Sequence, residues 1–386
     1  MKHFILSCLL LVAASIQTAI AQELTDISKL PRKIYLACDE KGSHVQGIAV
    51  DVKRGYAYFS FTTKLFKTDL QGNVIGSVSG LTCHLGCLDL DLETGKLYAS
   101  VEYKDDEIGR GILKGMGREL GERENTFYIG IFDTEKINRP NINSETGGVM
   151  NTVFLPNVVE MYEDTVTNGG KRFAHRYGCS GIDGIALGPQ FGKTGGKRYL
   201  NVDAAVYSET DRTDNDYQVL LQYDPKKLEK YALPLDQAKP HHNGPKKADK
   251  EIFVFTGNTA YGIQNLEYDS YTNNWFAAVY NGKKPQYPNY GLYAIDGTKK
   301  LTKQTLRGFD KPENGWVAQL AKAGKLHASS GVYGWPQNIG STGIQSLGNG
   351  YYYISHNGKT KDGYQYSELR LYRWLGTADK AFEEVK

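Results

Sequence analysis

Two histidines, His44 and His84, occupy the first position of two similar segments. Histidine titrates near neutral pH and serves both as a general acid or base and as a metal ligand. With a carboxylate from Glu102, Asp183 or Asp203, such a pair would transfer protons or hold a divalent cation. The structural alternative is that each histidine caps the start of a strand.

Three further segments resemble these two, and four of the five carry a polar side chain at a like position. The side chains are Gln46, Asp183, Gln264 and Gln345, whereas the second segment has Gly86. Oxygen atoms gathered round one axis would bind Ca²⁺, another divalent cation or a small polar ligand. Because Asp183, the candidate metal ligand, is the one charged member, a tight calcium site is disfavoured. The alternative is hydrogen bonding between neighbouring segments.

The remaining candidate binding residues lie where strand-like runs end. Glu102, Asn281 and His356 each stand at such a point, before a loop. Function concentrates in long loops on a rigid scaffold, so we add these residues to the candidate ligand-binding set. The acidic stretch 209–216 would also attract Ca²⁺, but it lacks the spacing and glycine of an EF-hand, and a solvated turn is the alternative.

The segments that carry these residues are repeats, beginning at 44, 84, 181, 262 and 343. Each is a short apolar run followed by a turn and a second run of alternating polarity. The first repeat continues into two more runs, which completes four strands joined by tight turns. Such a unit of about 40–50 residues is one blade of a β-propeller. The sequence therefore predicts an all-β propeller of five blades, with six blades or a β-sandwich as the alternatives.

The fifth repeat lacks an evident fourth strand. The run 33–37 would supply it, so that pairing of the N- and C-terminal strands closes the ring and removes exposed sheet edges. We expect 301–306 to be the fourth strand of the fourth blade, and 326–332 to be an extra strand pair or a degenerate sixth blade. Polar insertions interrupt the repeats at 104–126, 134–148 and 226–250.

The N-terminus has the three parts of a secretory signal peptide. A basic start precedes an apolar run from Phe4 to Ala14 and a small-residue cleavage site that ends at Ala21. We therefore expect residues 1–21 to be removed and 22–386 to form one secreted, extracellular propeller domain. No later apolar run is long enough to predict a membrane span.

Four cysteines follow the signal peptide, at Cys38, Cys83, Cys87 and Cys179. An even number in a secreted chain indicates two disulfides. Cys83 and Cys179 both precede a repeat, so we expect them to pair and to leave Cys38 with Cys87. The run 83–87 has the spacing of a zinc pair, but no second pair follows it.

Charge and motifs exclude several classes of function. The formal net charge is +3, without a run of like charge, which argues against a nucleic-acid surface. The sequence has no Gly-x-Ser-x-Gly elbow, phosphate loop, His-Glu-x-x-His or Gly-x-Gly-x-x-Gly. It therefore carries no common hydrolase motif and no support for nucleotide binding.

The repeat layout across 33–374 resembles that of secreted β-propellers, including the gluconolactonase and strictosidine-synthase-like group. The resemblance implies a propeller fold. No catalytic motif of these families matches, so it assigns no residue a role.

Two hypotheses of function follow. The first is a secreted or matrix-type propeller that binds an extracellular protein, a glycan or a small polar ligand through its long-loop face, without catalysis. The missing motifs, the near-neutral charge and the tyrosine-rich loops favour it. The second is a metal-dependent hydrolase or lactonase-like enzyme with its site at the mouth of the central channel, which His44, His84 and the polar positions favour.

Overall fold

The computed structural model describes residues 26–118 and 124–386. The predicted signal peptide at 1–21 therefore lies outside the described residues. Strands account for 49% of the chain and helices for 9%, and the main sheets are arranged as a five-bladed β-propeller. In the described ranges, no helix is both long and apolar enough to cross a membrane.

Blades 1 and 2 have the four-stranded design that the repeats predict. Their first two strands are joined by turns of the same type, in which Gly55 and Gly95 take φ values of 78° and 70°. The amide of each glycine donates to the carbonyl of the aspartate four residues earlier, Asp51 or Asp91. Blade 1 comprises Val45–Asp51, Tyr56–Phe61, Lys64–Asp69, Val74–Ser79 and the parallel edge strand Ile142–Asn143. Blade 2 comprises His84–Asp91, Lys96–Tyr103, Thr126–Asp133, Met150–Phe154 and the edge strand Leu233–Pro234.

The segment 302–318 belongs to the sheet of blade 3, whereas the sequence predicts that 301–306 belongs to blade 4. Thr302–Thr305 pairs with Asn314–Ala318, which runs parallel to the outer strand of blade 3, so 301–306 is not the fourth strand of blade 4. In blade 4 the outer position has isolated bridges from Ile295 to Leu320 and from Leu292 to Trp335. The main strands of blade 3 are Cys179–Pro189, Arg198–Val206, Tyr217–Tyr223 and Lys250–Phe255, and those of blade 4 are Thr259–Asp269, Asn274–Asn281 and Leu292–Asp296.

Blade 5 closes the ring as the sequence predicts. Strand Lys33–Lys41 pairs antiparallel with Tyr364–Trp374, with Lys33 opposite Arg370. Phe382–Glu384 pairs with the far end of the same strand, so a nine-residue and a three-residue strand occupy the fourth position. The inner strands are Ile344–Ser346 and Tyr351–Lys359.

Short helices and hairpins fill the connections. The predicted extra strand pair is confirmed as the hairpin of Lys325–His327 with Val332–Gly334. A second hairpin joins Thr165–Asn168 to Lys171–Ala174. The α-helices are Glu107–Gly115, Pro156–Glu163 and Pro225–Leu228, and the 3₁₀ helices are Ile27–Lys29, Thr134–Lys136, Arg176–Gly178 and Glu229–Tyr231.

The core consists of five apolar clusters, one between each pair of adjacent blades. This follows from the strand repeat of two residues, because alternate side chains face the two neighbouring blades. Side-chain acceptors add polar links across four interfaces by accepting backbone N–H groups of the next blade. These links join Glu102 to Ile182 (2.6 Å), Asp89 to Leu187 (2.5 Å), Asp203 to Ile263 (2.8 Å), Glu267 to Ser346 (2.7 Å) and Gln345 to Val50 (3.0 Å). The acceptor residues lie on blades 2, 3, 4 and 5.

The predicted disulfides are wrong, because within the described residues none of the four cysteines forms one. Cys38 and Cys83 lie in different apolar clusters, between blades 5 and 1 and between blades 1 and 2. Cys87 and Cys179 share the cluster between blades 2 and 3 but point to different partners. The Cys87 thiol donates to Asn265 Oδ1 at 3.4 Å, and that of Cys179 donates to the Gly181 carbonyl at 3.7 Å. These residues act as small apolar core residues.

Candidate functional site

The loops before the first strands and those between the second and third strands lie on one side of the ring, which we call the loop face. Near its centre, His84 begins the first strand of blade 2, and Glu102 stands opposite it on the second strand. Lys104 follows directly after that strand, and Asp183 lies on the first strand of blade 3. We call His84, Glu102, Lys104 and Asp183 the mouth cluster.

Glu102 is the fully bonded centre of this cluster. Its Oε2 accepts from His84 Nδ1 at 3.0 Å and lies 3.1 Å from Lys104 Nζ, and its Oε1 accepts the Ile182 amide. Burial would raise the pKa of Glu102, but the charge of Lys104 and the hydrogen bond from His84 lower it below its ordinary value. Burial would lower the pKa of His84, but the hydrogen bond and charge of Glu102 raise it. Glu102 therefore orients the imidazole and favours its cationic form.

Asp183 differs from Glu102 because its carboxyl has no hydrogen-bond partner in the described part of the chain. The residue is 7% exposed. Burial raises the pKa of Asp183 to about 8, against the opposing charge of His84. A Cβ at Gly86 would stand 2.3 Å from Ser100 Oγ and 3.1 Å from Asp183 Oδ1, which explains why blade 2 carries glycine at this position.

The other polar positions do not gather round the axis with Asp183. Gln46 donates to Thr62, Gln264 donates to the Tyr261 carbonyl at 3.2 Å, and Gln345 bonds to Val50 and Glu267. The axis is filled instead by Asn265, one residue beyond the predicted position. Its amide donates to the Gln46 carbonyl at 3.0 Å and approaches the Ser341 carbonyl at 3.5 Å. The side chains at the other predicted ring positions thus have hydrogen-bond partners of their own, and β-bulges interrupt the register of the first strands of blades 3 and 4.

The matching histidines are neighbours, as the repeat predicts, because the Thr62 amide donates to the His44 carbonyl and the Thr62 carbonyl accepts from the Leu85 amide, next to His84. Burial lowers the pKa of His44, and the charge of His84 adds to this effect, so His44 favours its neutral form. Its Nδ1 lies 2.6 Å from the Val45 carbonyl. Across residues 26–118 and 124–386, no three His, Cys, Asp or Glu side chains are arranged to hold a metal ion.

Asn281 and His356 lie apart from the mouth cluster. Asn281 ends a strand of blade 4 and donates to the Asn289 carbonyl, which fixes a loop. His356 lies within a strand of blade 5 rather than in a loop, and its ring stacks on Tyr372 with Nε2 2.8 Å from the hydroxyl. Both side chains have structural partners.

A cleft of about 630 Å³ opens on the loop face, a size typical of ligand sites. We call it the loop-face cleft. Loops of blades 3 and 4 build it. Three aromatic rings, His175, Tyr207 and Tyr261, form one part of its wall, and Ser208, Glu209, Thr210, Asp211 and Lys283 form the polar part.

The aromatic wall has a strained backbone. The positive-φ residues other than glycine in the described ranges are three asparagines and three aromatic residues. The aromatic ones are His175 (φ 66°), Tyr177 (φ 57°) and Tyr261 (φ 60°), and the first and last line the cleft. Asparagine tolerates this region, whereas tyrosine does so at a cost of about 1–3 kcal/mol, and His175 has a ψ of 106° that lies outside the left-handed helical region. Such strain clusters at functional sites.

Neighbouring groups hold this strained backbone in place. The His175 amide donates to the Asp164 carbonyl at 2.8 Å, and its own carbonyl accepts from Arg212 at 2.9 Å. The Tyr261 carbonyl accepts from Gln264. Tyr261 itself is 43% exposed, so its ring contributes little to the core. The rings of His175 and Tyr207 lie 5.2 Å apart, and those of Tyr207 and Tyr261 lie 6.3 Å apart.

Residues 209–211 of the acidic stretch 209–216 line the cleft, and two buried cations pair with three of its four carboxylates. Arg212, fully buried, donates to both oxygens of Asp214 at 2.7 and 2.9 Å and to Glu209 at 2.8 Å. The Lys284 ammonium donates to Asp216 and to Asn215 Oδ1. These two cations occupy the position in which the sequence alone suggested Ca²⁺.

Hydrogen bonds connect the cleft to the mouth cluster. The Tyr207 hydroxyl donates to Asp106 Oδ2 at 3.0 Å, and the same oxygen lies 3.7 Å from Lys104 Nζ. The loop-face cleft and the mouth cluster are therefore connected through Asp106.

Sequence reasoning did not single out His175, Tyr207 or Tyr261. His175 and Tyr261 share a positive φ, and all three residues are close in the fold, but neither feature has a sequence motif. The one available signal was their place in long loops beside Gly178 and Gly262, both of which also take positive φ.

A second cleft of about 880 Å³ lies away from this face, between the outer parts of blades 2 and 3. Its wall includes Trp316, which is 41% exposed and lies under the Lys250 ammonium at 4.9 Å. Arg176 and the Tyr177 hydroxyl both donate to Glu313 at its edge. The charged groups named here are thus paired with one another or with aromatic rings.

No protein-family model and no curated protein matches this chain. Among solved structures, it is similar to one described as "Structure of Dos1 propeller", at 12% sequence identity. The similarity covers 89% of this chain and 82% of that chain with a TM-score of 0.29. At this level the similarity says nothing about the site, and the functional argument depends on the geometry of the chain itself.

Proposed function

We propose that the protein is a secreted propeller that binds a glycan in the loop-face cleft. The observation that carries the proposal is the strained, solvent-facing aromatic wall of His175 and Tyr261. Strain of this kind persists where the surrounding structure enforces it, and Tyr261 gains too little burial to account for its cost. A ring held out to solvent at such a cost is suited to contact a ligand.

The chemistry of the cleft favours a sugar over an apolar ligand. Aromatic faces pack against the C–H faces of sugar rings, while hydroxyl, carboxylate and ammonium groups exchange hydrogen bonds with sugar hydroxyls. The cleft supplies both, with Tyr207 and Tyr261 on one side and Ser208, Glu209 and Lys283 on the other. Ligand sites typically combine an aromatic lining with a few well-placed polar groups in this way.

Direct binding to an array of neutral and acidic oligosaccharides tests the proposal. The full chain without residues 1–21 is labelled and applied to the array, and hits are measured by calorimetry. We expect saturable binding that is lost when Tyr261 is replaced. Absence of binding to every glycan, or binding that persists in the Tyr261 variant, would contradict the proposal. Detection of the chain in culture medium of its native host tests secretion.

The substitution Tyr261→Asn is expected to separate stability from binding. Asparagine adopts the left-handed conformation readily, so the free energy of unfolding should rise by about 1 kcal/mol. Loss of the ring should weaken glycan binding about tenfold or more. Urea unfolding and calorimetry measure the two effects.

Tyr271→Asn is the matched control, because Tyr271 is also exposed, at 57%, but lies in a turn outside the cleft and has ordinary φ. It should leave glycan binding unchanged and give no gain in stability. A Tyr261 variant that is less stable and still binds would show that the ring has a structural role.

A further inference from the structure

The second cleft, of about 880 Å³, is larger than the loop-face cleft and lies away from it. One wall is the outer part of the sheet of blade 3, where Lys250 and Trp316 lie on neighbouring parallel strands. The opposite wall is the helix Pro156–Glu163, which supplies Glu160 and Glu163. We call this space the rim cleft. Its volume is in the range of pockets that bind a small ligand or a few side chains of a partner.

Trp316 stands in the rim cleft without a role in the described core. Its side chain is 41% exposed and belongs to none of the five apolar clusters, whereas Trp275 and Trp335 are fully buried in them. The Lys250 ammonium lies 4.9 Å from the centroid of the Trp316 ring, so this ring already accepts one cation from the chain itself. Tryptophan in a pocket is a frequent anchor for a protein partner.

The carboxylates of the rim cleft outnumber its cations by five to three. Arg176 donates to Glu313 at 2.8 Å, and Lys250 lies over Trp316, so only Lys247 among the cations has no contact of either kind with another described residue. The carboxylates of the cleft that form no ion pair within residues 26–118 and 124–386 are Glu160, Glu163, Asp164 and Glu251. The unpaired groups therefore leave an excess of negative charge.

Three of these carboxylates lie where the helix itself repels them. Glu160, Glu163 and the cap residue Asp164 stand at the C-terminal end of the helix, and its last turn has no basic residue. Aligned peptide dipoles leave negative charge at this end, which favours cations and disfavours carboxylates. Glu163 accepts from Asn125 at 3.3 Å and Asp164 from the Thr165 amide at 2.7 Å, but neither bond brings a positive charge. A cationic partner would relieve this repulsion.

We propose that the rim cleft is the docking site for an arginine-rich segment of a partner protein. A guanidinium fits both walls, because its planar fork bonds to a carboxylate through two parallel hydrogen bonds and its face stacks on an aromatic ring. One arginine would pair with the carboxylates of the helix, and a second would stack on the exposed part of Trp316. A sugar would leave the negative charge of the cleft unbalanced. This inference is independent of the glycan proposal, because the two clefts share no lining residue.

The test is calorimetry at low ionic strength with a hexapeptide of alternating glycine and arginine that is blocked at both ends. The comparison peptides replace each arginine with lysine, with glutamate, or with citrulline, which has the shape of arginine but no charge. We expect saturable binding of the arginine peptide, about threefold weaker binding of the lysine peptide, and a loss of about tenfold or more for citrulline. Added salt should weaken the binding, because these carboxylates are exposed.

Two variants locate the binding in the rim cleft. Trp316→Ala, and Glu160→Gln combined with Glu163→Gln, should each weaken the binding of the arginine peptide by about tenfold. These side chains are exposed, so both variants should keep the wild-type urea midpoint. The matched control is Glu93→Gln combined with Asp362→Asn, since both carboxylates are exposed, lie outside the cleft and form no ion pair with a described residue. The control should bind the arginine peptide as the wild type does.

Failure of the arginine peptide to bind, equal binding of the citrulline peptide, or preference for the glutamate peptide would overturn the inference. Wild-type affinity in either rim-cleft variant would do so too. Binding of a neutral oligosaccharide that is lost in Trp316→Ala would make the rim cleft a sugar site instead. Tyr261→Asn should leave the binding of the arginine peptide unchanged while it weakens glycan binding, so failure of one proposal is distinguishable from failure of the other.

Discussion

Replacing Asp183 with asparagine is expected to stabilise the protein at pH 8 and to have little effect at pH 4. The carboxyl is buried and lacks a hydrogen-bond partner in the described part of the chain, and burial raises its pKa from 3.8 to about 8. Asparagine has nearly the same shape and never becomes charged. The gain should therefore grow with pH.

The sign follows from proton binding in the two states. Between pH 4 and pH 8 the folded protein keeps the Asp183 proton, whereas the unfolded chain has lost it. The contribution of Asp183 to the free energy of unfolding is fully present below the pKa of this group in the unfolded chain. It is lost as pH rises toward the pKa in the folded protein, by about 1.4 kcal/mol for each pH unit. Asp183→Asn removes that loss, so we expect a gain on the order of 3–5 kcal/mol at pH 8.

Urea unfolding of the wild type and the variant at pH 4, 6 and 8 gives the difference between their free energies of unfolding. Taking the difference cancels the contribution that titration of the other carboxyls makes to both proteins. Asp89→Asn provides the opposite expectation, because both Asp89 oxygens accept backbone N–H groups and an amide would lose one of them. If the free energy of unfolding gained by Asp183→Asn stays constant or falls as pH rises, Asp183 is ionised in the folded protein.

Replacing Arg212 with methionine is expected to destabilise the protein by about 3–5 kcal/mol. The guanidinium is fully buried and bonds to Asp214, Glu209 and the carbonyls of Ala174 and His175. Methionine fills most of the volume but leaves the Asp214 carboxylate and two carbonyls without a donor. Removing one partner of a buried ion pair costs far more than the pair contributes.

The same change should loosen the wall of the loop-face cleft. Hydrogen exchange is expected to show lost protection across 207–216 and at His175, together with a lower urea midpoint. Arg373→Met is the matched control, since Arg373 pairs with Glu383 on the surface and is 56% exposed. Surface pairs contribute about 0–1 kcal/mol, so its midpoint should barely move. An equally small effect for Arg212→Met would refute the role of Arg212 in holding the cleft.

The blades could be predicted from sequence because their signals are local. Alternating polarity and the turn glycines Gly55 and Gly95 lie within a few residues of the strands they define. Pairing of Lys33–Lys41 with the last blade was predictable because one repeat was short of a strand. The segment 302–318 joins blade 3 rather than blade 4 through parallel strand pairing of Trp316 with Ile252, a long-range contact that has no local signal in the sequence.

The site was predictable in part. The repeat placed His84 and Glu102 opposite each other and Asp183 nearby, since all three sit at fixed positions of a blade. The repeat pattern did not predict that bulges turn Gln264 toward Tyr261 and place Asn265 on the axis. The positive φ of His175 and Tyr261 has no sequence signature, and an even cysteine count did not show that each thiol lies in an apolar core.

The most direct test of the central claim is a crystal structure of the protein with a saturating concentration of the oligosaccharide that binds most tightly on the array. We expect the sugar rings to pack against Tyr207 and Tyr261 in the loop-face cleft. A ligand bound elsewhere, or an empty cleft in crystals whose cleft is open to solvent, would contradict the account.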